Sequence, residues 1–201
     1  MELEPGLFLY SGYYDRCAQA DLRDMLRTIV DAAPLFQPVM PKTGKPLSVK
    51  MSNCGPLGWV ADKAGYRYQE THPMTGAPWP DLPPVLLNLW DAVAKEAPRP
   101  QACLINYYQP SAKMGLHQDR DEAMFTAPVV SVSLGDDCRF RTGTTERNGP
   151  TKSFKLHSGD VLVMGGESRL AYHGVDRIYP GTSTLLKAPG RINLTLRRVT
   201  A

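Results

Sequence analysis

Apolar residues recur at helical spacing between Tyr14 and Ala33, where Cys17, Leu22, Met25, Leu26, Ile29 and Val30 share one face. This pattern predicts one amphipathic helix. A second is predicted over Leu82–Ala97, with Pro83 and Pro84 in its first turn and Pro98 just past its end. Between them, residues Met40–Pro80 have no clear period. The stretch is rich in Gly, Pro and Lys, carries Trp59, Tyr66, Tyr68 and Trp79, and reads as irregular or hairpin-like, a candidate lid. From Gln101 onward the period shortens. Ala102–Tyr108, Val129–Leu134, Cys138–Thr142, Ser153–His157, Val161–Met164 and Ile192–Val199 read as short strands, with turns at Asn148-Gly149 and Ser158-Gly159-Asp160. In the last strand Asn193, Thr195 and Arg197 share one face, and Ile192, Leu194 and Leu196 share the other. Two helices followed by about eight short strands predict an α+β protein, a double-sheet jelly roll backed by N-terminal helices. The 201 residues are expected to form one domain, with helical support and lid over about 1–100 and the jelly-roll core over about 101–201.

Composition changes this picture little. Hydrophobic content of 42% and charged content of 21% are ordinary for a globular chain, and the 18 prolines and 17 glycines favour short elements joined by turns. Cys17, Cys54, Cys103 and Cys138 are scattered, with no CxxC pair, and are expected to be reduced thiols of a cytoplasmic protein. The start, Met1-Glu-Leu-Glu-Pro, lacks the basic and apolar regions of a secretory signal, and no apolar run is long enough to span a membrane. Nothing requires more than a monomer. The net charge of +3 permits a polyanionic partner without demanding one. Arg139, Arg141, Arg147, Lys152 and Lys155 form one basic cluster and Lys42, Lys45, Lys50 and Lys63 another. Charge alone favours a solvated surface for both.

The candidate chemistry lies in His117-Gln118-Asp119 and in His173 of Tyr-His-Gly, followed by Arg191-Ile-Asn-Leu-Thr-Leu-Arg197. A His and an Asp two apart on an extended segment point to the same side. With a second, distant imidazole they can occupy one face of a divalent first-row metal and leave three positions open, the arrangement of a non-haem Fe(II) oxygenase. A bidentate oxo-acid on that open face brings a second carboxylate. Arg191 or Arg197 can meet it with a planar fork. Taken singly each His reads more readily as structural, and the arginines as a strand edge. The order of the motifs shifts the balance towards a site. His157, beside the Ser-Gly-Asp turn, is expected outside the site, and His72 is expected to face solvent.

Asn106-Tyr-Tyr-Gln-Pro-Ser-Ala-Lys-Met-Gly-Leu-His-Gln-Asp-Arg-Asp-Glu122 resembles the core motif of the AlkB family of Fe(II)/2-oxoglutarate-dependent dealkylating dioxygenases. Val130–Gly135, Gly165–Gly174 and Arg191–Arg197 do so too, and Gly58-Trp59, Gly65-Tyr66 and Pro78-Trp-Pro80 resemble the nucleotide-recognition lid of the bacterial members. The resemblance implies that His117, Asp119 and His173 bind iron. It implies that Arg191 and Tyr108 hold the distal carboxylate of 2-oxoglutarate, and Asn106, Asn193 and Arg197 its end near the metal. Asp121 would face the exocyclic amine of a damaged base, and Trp59 would stack on that base opposite His117. Tyr66, Lys113, Gln118, Arg120 and Arg147 would contact phosphate or shape the base pocket. An N-alkylated adenine or cytosine ring is cationic, so a carboxylate at 121 suits it, and a flipped base needs flat faces to replace lost stacking. Met164 departs from the aromatic residue that many bacterial members carry there.

The implied activity uses Fe(II), 2-oxoglutarate and O2 to hydroxylate the N-alkyl group of N1-methyladenine or N3-methylcytosine in single-stranded DNA, and possibly RNA, releasing aldehyde, succinate and CO2. Two alternatives stay open: a 2-oxoglutarate-dependent hydroxylase of protein or a small molecule, and a non-catalytic nucleic-acid-binding module.

Overall fold

In a computed structural model, which describes residues 1–94 and 96–201, thirteen strands and two α-helices follow one another as β1 (Glu2–Glu4), β2 (Leu7–Tyr10), α1 (Arg16–Ala32), β3 (Lys50–Cys54), β4 (Gly58–Asp62), β5 (Gly65–Gln69), α2 (Pro84–Val93), β6 (Ala102–Tyr108), β7 (Met114–His117), β8 (Val129–Gly135), β9 (Asp137–Gly143), β10 (Thr151–Leu156), β11 (Val161–Met164), β12 (His173–Tyr179) and β13 (Arg191–Arg197). Seven strands form a sheet in the order β1-β2-β11-β8-β13-β6-β3, four form a second in the order β10-β9-β12-β7, and β4-β5 is a separate hairpin. This is the expected jelly roll with helices behind one sheet.

The alternation in β6, β8, β11 and β13 explains the layering. Cys103, Ile105, Val130, Val132, Leu134, Val161, Val163, Leu194 and Leu196 pack on one side of the large sheet with Leu22, Leu26 and Ile29 of α1 and Leu86, Leu89 and Trp90 of α2. The intervening residues Leu104, Tyr108, Val129, Leu162 and Met164 pack instead with Cys138, Phe140, Leu156, Val175 and Ile178 of the four-stranded sheet. Met164 thus fills the space between the sheets.

Helix α1 begins where Asp15 accepts a hydrogen bond from the Ala18 N–H at 2.9 Å, an N-cap that releases Tyr14 from the helix. Helix α2 is shorter than the pattern predicts. It closes at Ala94, whose N–H reaches Trp90 O at 2.8 Å, and residue 95 of the predicted span lies outside the described residues. The stretch Met40–Pro80 is more ordered than expected, since β3 is an edge strand of the large sheet and β4-β5 is a regular hairpin. The four-residue strand β7 and the bulged strand β12, whose register shifts between Val175 and Arg177, hide their alternation in the sequence for want of length and regularity. At the Ser158-Gly159-Asp160 turn, Gly159 has φ +92°, and a Cβ there would lie 2.3 Å from Tyr14 O. Only glycine lets this turn close on the start of α1.

Candidate active site

Strands β7 and β12 pair so that His173 lies opposite His117, with ring centroids 4.5 Å apart. The approach depends on Gly174, because a Cβ there would stand 2.5 Å from Met114 O and 2.9 Å from Gly115 O. Asp119 follows β7, its carboxylate 3.6 Å from His117 Nε2 and 3.9 Å from His173 Nε2. The donor atoms of these three residues all lie within 4.8 Å of one another. Each imidazole is turned the same way: Nδ1 lies 2.9 Å from Gly115 O for His117 and 3.0 Å from Ala171 O for His173. A backbone carbonyl two residues back takes the Nδ1 proton in both, which leaves the Nε2 lone pairs aimed at Asp119, as metal ligation requires. The His117 side chain is 40% exposed, against 10% for His173 and 5% for Asp119, so the group opens on the His117 side.

The charge state suits a metal. Burial lowers the His173 pKa to about 4, and the neighbouring His117 acts in the same direction, so the ring is neutral at physiological pH. Burial would raise the Asp119 pKa, but Arg197, with His173, His117 and Arg169, outweighs it and holds the carboxyl below the usual carboxylate range. The His173 shift has a stability consequence. Between about pH 6.5 and 4 the unfolded chain binds a proton at this ring that the folded chain refuses, so stability is lost as pH falls through that window. The drop for the metal-free protein is expected to be on the order of 3 kcal/mol. Urea midpoints measured across the window should fall, and His173→Gln should flatten the slope. A wild-type midpoint that stays level would mean the ring titrates normally.

Behind the triad, odd-numbered residues of β13 face the space between the sheets. Arg191 is 1% exposed and pairs in register with Tyr108 of β6 and Gly135 of β8. Its Nη2 donates to Ser133 Oγ at 2.9 Å, while Nε and Nη1 have no partner. Asn106 Oδ1 and Arg197 Nε are also buried and unpaired. A buried guanidinium with two idle N–H groups is costly unless an anion completes it. This donor-rich, cationic end fits a small dicarboxylate. Tyr108 is buried beside it, and burial raises its phenol pKa although Arg191 opposes the shift, so the hydroxyl keeps its proton as a donor.

The matching family model, the 2OG-Fe(II) oxygenase superfamily, covers residues 6–197. The chain is 50% identical over 194 residues to the alpha-ketoglutarate-dependent dioxygenase AlkB homolog of Caulobacter vibrioides, covering 96% of this chain and 88% of that protein. It is 42% identical over 200 residues to the alpha-ketoglutarate-dependent dioxygenase AlkB of Escherichia coli, covering 98% of this chain and 91% of that one. The chain belongs to the AlkB family. It is an Fe(II)/2-oxoglutarate-dependent dioxygenase, with O2 as co-substrate. Its fold matches the solved structure of OsALKBH1 with a TM-score of 0.85 at 33% identity, covering 98% of this chain and 99% of that one.

Other residues singled out in the sequence for this AlkB-type site fall into three groups. Trp59 and Asp121 meet: the indole Nε1 donates to Asp121 Oδ2 at 2.8 Å, and Tyr66 stacks on Trp59 with centroids 5.6 Å apart. Asn193 and Gln118 are engaged within the protein. Asn193 Nδ2 donates to Ser131 Oγ at 2.7 Å and to Val132 O at 3.1 Å, and its Oδ1 accepts from Thr195. Gln118 Nε2 donates to Leu170 O at 2.6 Å and lies 3.4 Å from Thr145 O, linking the metal segment to the β9-β10 turn. Lys113, Arg120 and Arg147 are exposed and make no ion pair among the described residues. His157 is outside the group, 3.0 Å from Asp137. The expectation for His72 was wrong. It is 1% exposed, its Nε2 lies 2.7 Å from Pro34 O, and its ring packs on Phe36 and Trp79.

Sequence reasoning missed a buried charge network under the triad. Arg169 donates to Asp119 O at 2.7 Å, Ala127 O at 2.9 Å and Glu122 Oε2 at 3.1 Å. Arg197 reaches Asp119 Oδ2 at 2.8 Å and Glu122 Oε1 at 3.4 Å, and it donates to Tyr68 at 3.0 Å. Tyr68 in turn donates to Glu122. Arg197, expected at the co-substrate, is therefore largely committed to the carboxylates beneath it. Tyr68 pairs across the hairpin with Trp59, so β4-β5 is tied to the site at two points. Glu122, next to Asp121 in an exposed-looking polar run, gives no local signal of burial.

Proposed function

We propose that this dioxygenase removes alkyl groups from N-alkylated bases, N1-methyladenine and N3-methylcytosine, in single-stranded DNA and possibly RNA, acting as a monomer in the cytoplasm. The observation that carries this reading is the Trp59–Asp121 contact, made just along the chain from the His117-Asp119 segment on which the triad is exposed. It joins a flat aromatic surface to a carboxylate two residues beyond Asp119, where a cationic alkylated ring can stack and be neutralised. High identity to bacterial AlkB proteins over nearly the whole chain supports the same reading. No helix among the described residues is long and apolar enough to cross a membrane.

In this reading His117, Asp119 and His173 hold iron(II), which together with 2-oxoglutarate and O2 supplies the oxidising power for hydroxylating the N-alkyl carbon. Arg191 and Tyr108 grip the distal carboxylate, Arg191 through its unpaired Nε and Nη1. Asn106 and the free Nε of Arg197 serve the end nearer the metal, while Asn193 sets the floor through Ser131 and Thr195. Trp59, backed by Tyr66, and His117 flank the base, and Asp121 receives its exocyclic amine. Lys113, Arg120 and Arg147 offer charge to the phosphates, and Gln118 fixes the wall. Once hydroxylated, the carbon carries oxygen and nitrogen together and the hemiaminal collapses, releasing an aldehyde and the repaired base.

The test is formaldehyde release from a single-stranded oligonucleotide carrying N1-methyladenine, supplied with Fe(II) and 2-oxoglutarate. Trp59→Ala and Asp121→Ala are each expected to lower kcat/KM by roughly 10- to 100-fold, the loss of one stacking face or one charge-assisted hydrogen bond. Iron binding should be unchanged in both. Turnover indifferent to both substitutions would point to a protein or small-molecule substrate.

A further inference from the structure

The outer face of the four-stranded sheet carries a charge arrangement that the active site does not use. In register across it, Lys155 of β10 lies opposite Arg139 of β9, which lies opposite Arg177 of β12. All three are exposed, and none forms an ion pair among the described residues. Lys155 Nζ sits 5.0 Å over the Tyr179 ring, a cation–π contact that gives it no counter-anion. The neighbouring acids are taken, Asp176 by Arg141 at 3.0 Å and Asp137 by His157 at 3.0 Å. Like charges placed directly opposite on adjacent strands disfavour one another, so three in one row make a favourable seat for an outside anion.

The next row on this face holds Ser153 and Arg141, and beyond it the hairpin ends in the turn that carries Arg147. That turn is the one Gln118 links to the metal segment. Four residues separate Arg139 from Gly143, about 14 Å of strand. The three-cation row is itself about 10 Å long at the usual strand spacing. About four phosphates of a stacked strand, three intervals of ~3.4 Å rise, match that length.

We infer that Lys155, Arg139 and Arg177 form a second nucleic-acid surface, which holds the phosphate backbone of the strand after it leaves the active site across the β9-β10 turn. This rests on the nucleic-acid substrate proposed above. It predicts that long strands bind more tightly than short ones because of this face, with no part in the chemistry.

The experiment compares the wild-type protein with R139Q/K155Q/R177Q. Binding of an unmodified oligothymidylate of about 30 nucleotides is followed by fluorescence anisotropy over a salt series. At ~0.7 per phosphate contact, the slope of log K against log salt should become shallower by about two, with affinity at low salt down roughly 10-fold or more. The kcat/KM on a methylated pentanucleotide should not change. The midpoint of thermal unfolding without nucleic acid should be no lower than wild type, since repulsion has been removed. An unchanged slope, or an equal loss on the pentanucleotide, would overturn the surface. Wild-type protein that fails to demethylate the pentanucleotide overturns the functional reading instead, so the two failures are distinguishable.

Discussion

Asp119→Ala is expected to release no formaldehyde above background and to bind iron(II) at least ~100-fold more weakly, beyond the 10- to 100-fold typical of losing an outer partner. The carboxylate is the only anion among the three donors, and it lies between the two imidazole Nε2 atoms at 3.6 and 3.9 Å. Without it, two imidazoles share the site with two guanidiniums that repel a cation. Arg197 keeps Glu122 at 3.4 Å and Tyr68 at 3.0 Å, so the chain still has a means to hold its shape. The measurement is paired: iron affinity by a competition titration, and folding by thermal melt. Product formation by folded Asp119→Ala protein would take the triad out of the reaction.

The second large effect concerns stability. Glu122→Ala should destabilise the protein by about 3–5 kcal/mol, because a buried ion pair that loses one partner leaves its counter-charge stranded. Here two are affected: Arg169, 3% exposed, and Arg197, 6% exposed, both lose Glu122, and Tyr68 loses its acceptor. For a chain of this size the thermal midpoint should fall by roughly 6–20 °C. Glu122→Gln keeps an acceptor for Tyr68 and should do less harm. A Glu122→Ala midpoint within ~2 °C of wild type would mean that the network relaxes or is hydrated.

Much of the fold was legible because long, regular elements write their period into the sequence. Helix α1 and strands β6, β8, β11 and β13 repeat apolar residues at the spacing of a helix or a sheet face over four to seventeen residues. Strands β1, β2, β7 and β12 were missed: β1 and β7 are three and four residues long with few apolar positions, β12 is bulged, and β2, as short as β11, stands outside the strand-rich stretch from Gln101 onward. Strand β3 was hidden in a stretch read from its Gly, Pro and Lys content.

The site divides in the same way. The candidate metal donors were legible in the sequence, since His117 and Asp119 are two apart and their motif resembles that of the AlkB family, and the pattern Arg191-x-Asn-x-Thr-x-Arg197 states its own polar face. Which partners those side chains take was decided only by tertiary structure. Glu122 and Arg169 lie 47 positions apart, Tyr68 and Arg197 129 apart, and Trp59 and Asp121 62 apart, and no local period links such pairs. Register does so instead. The β6-β13-β8 ladder places Arg191 against Tyr108, and the β7-β12 pairing, open only because residue 174 is glycine, turns two distant histidines towards one carboxylate. Hydrogen-bond ladders act between strands far apart in the chain, so they fix contacts that the sequence of either strand cannot specify by itself.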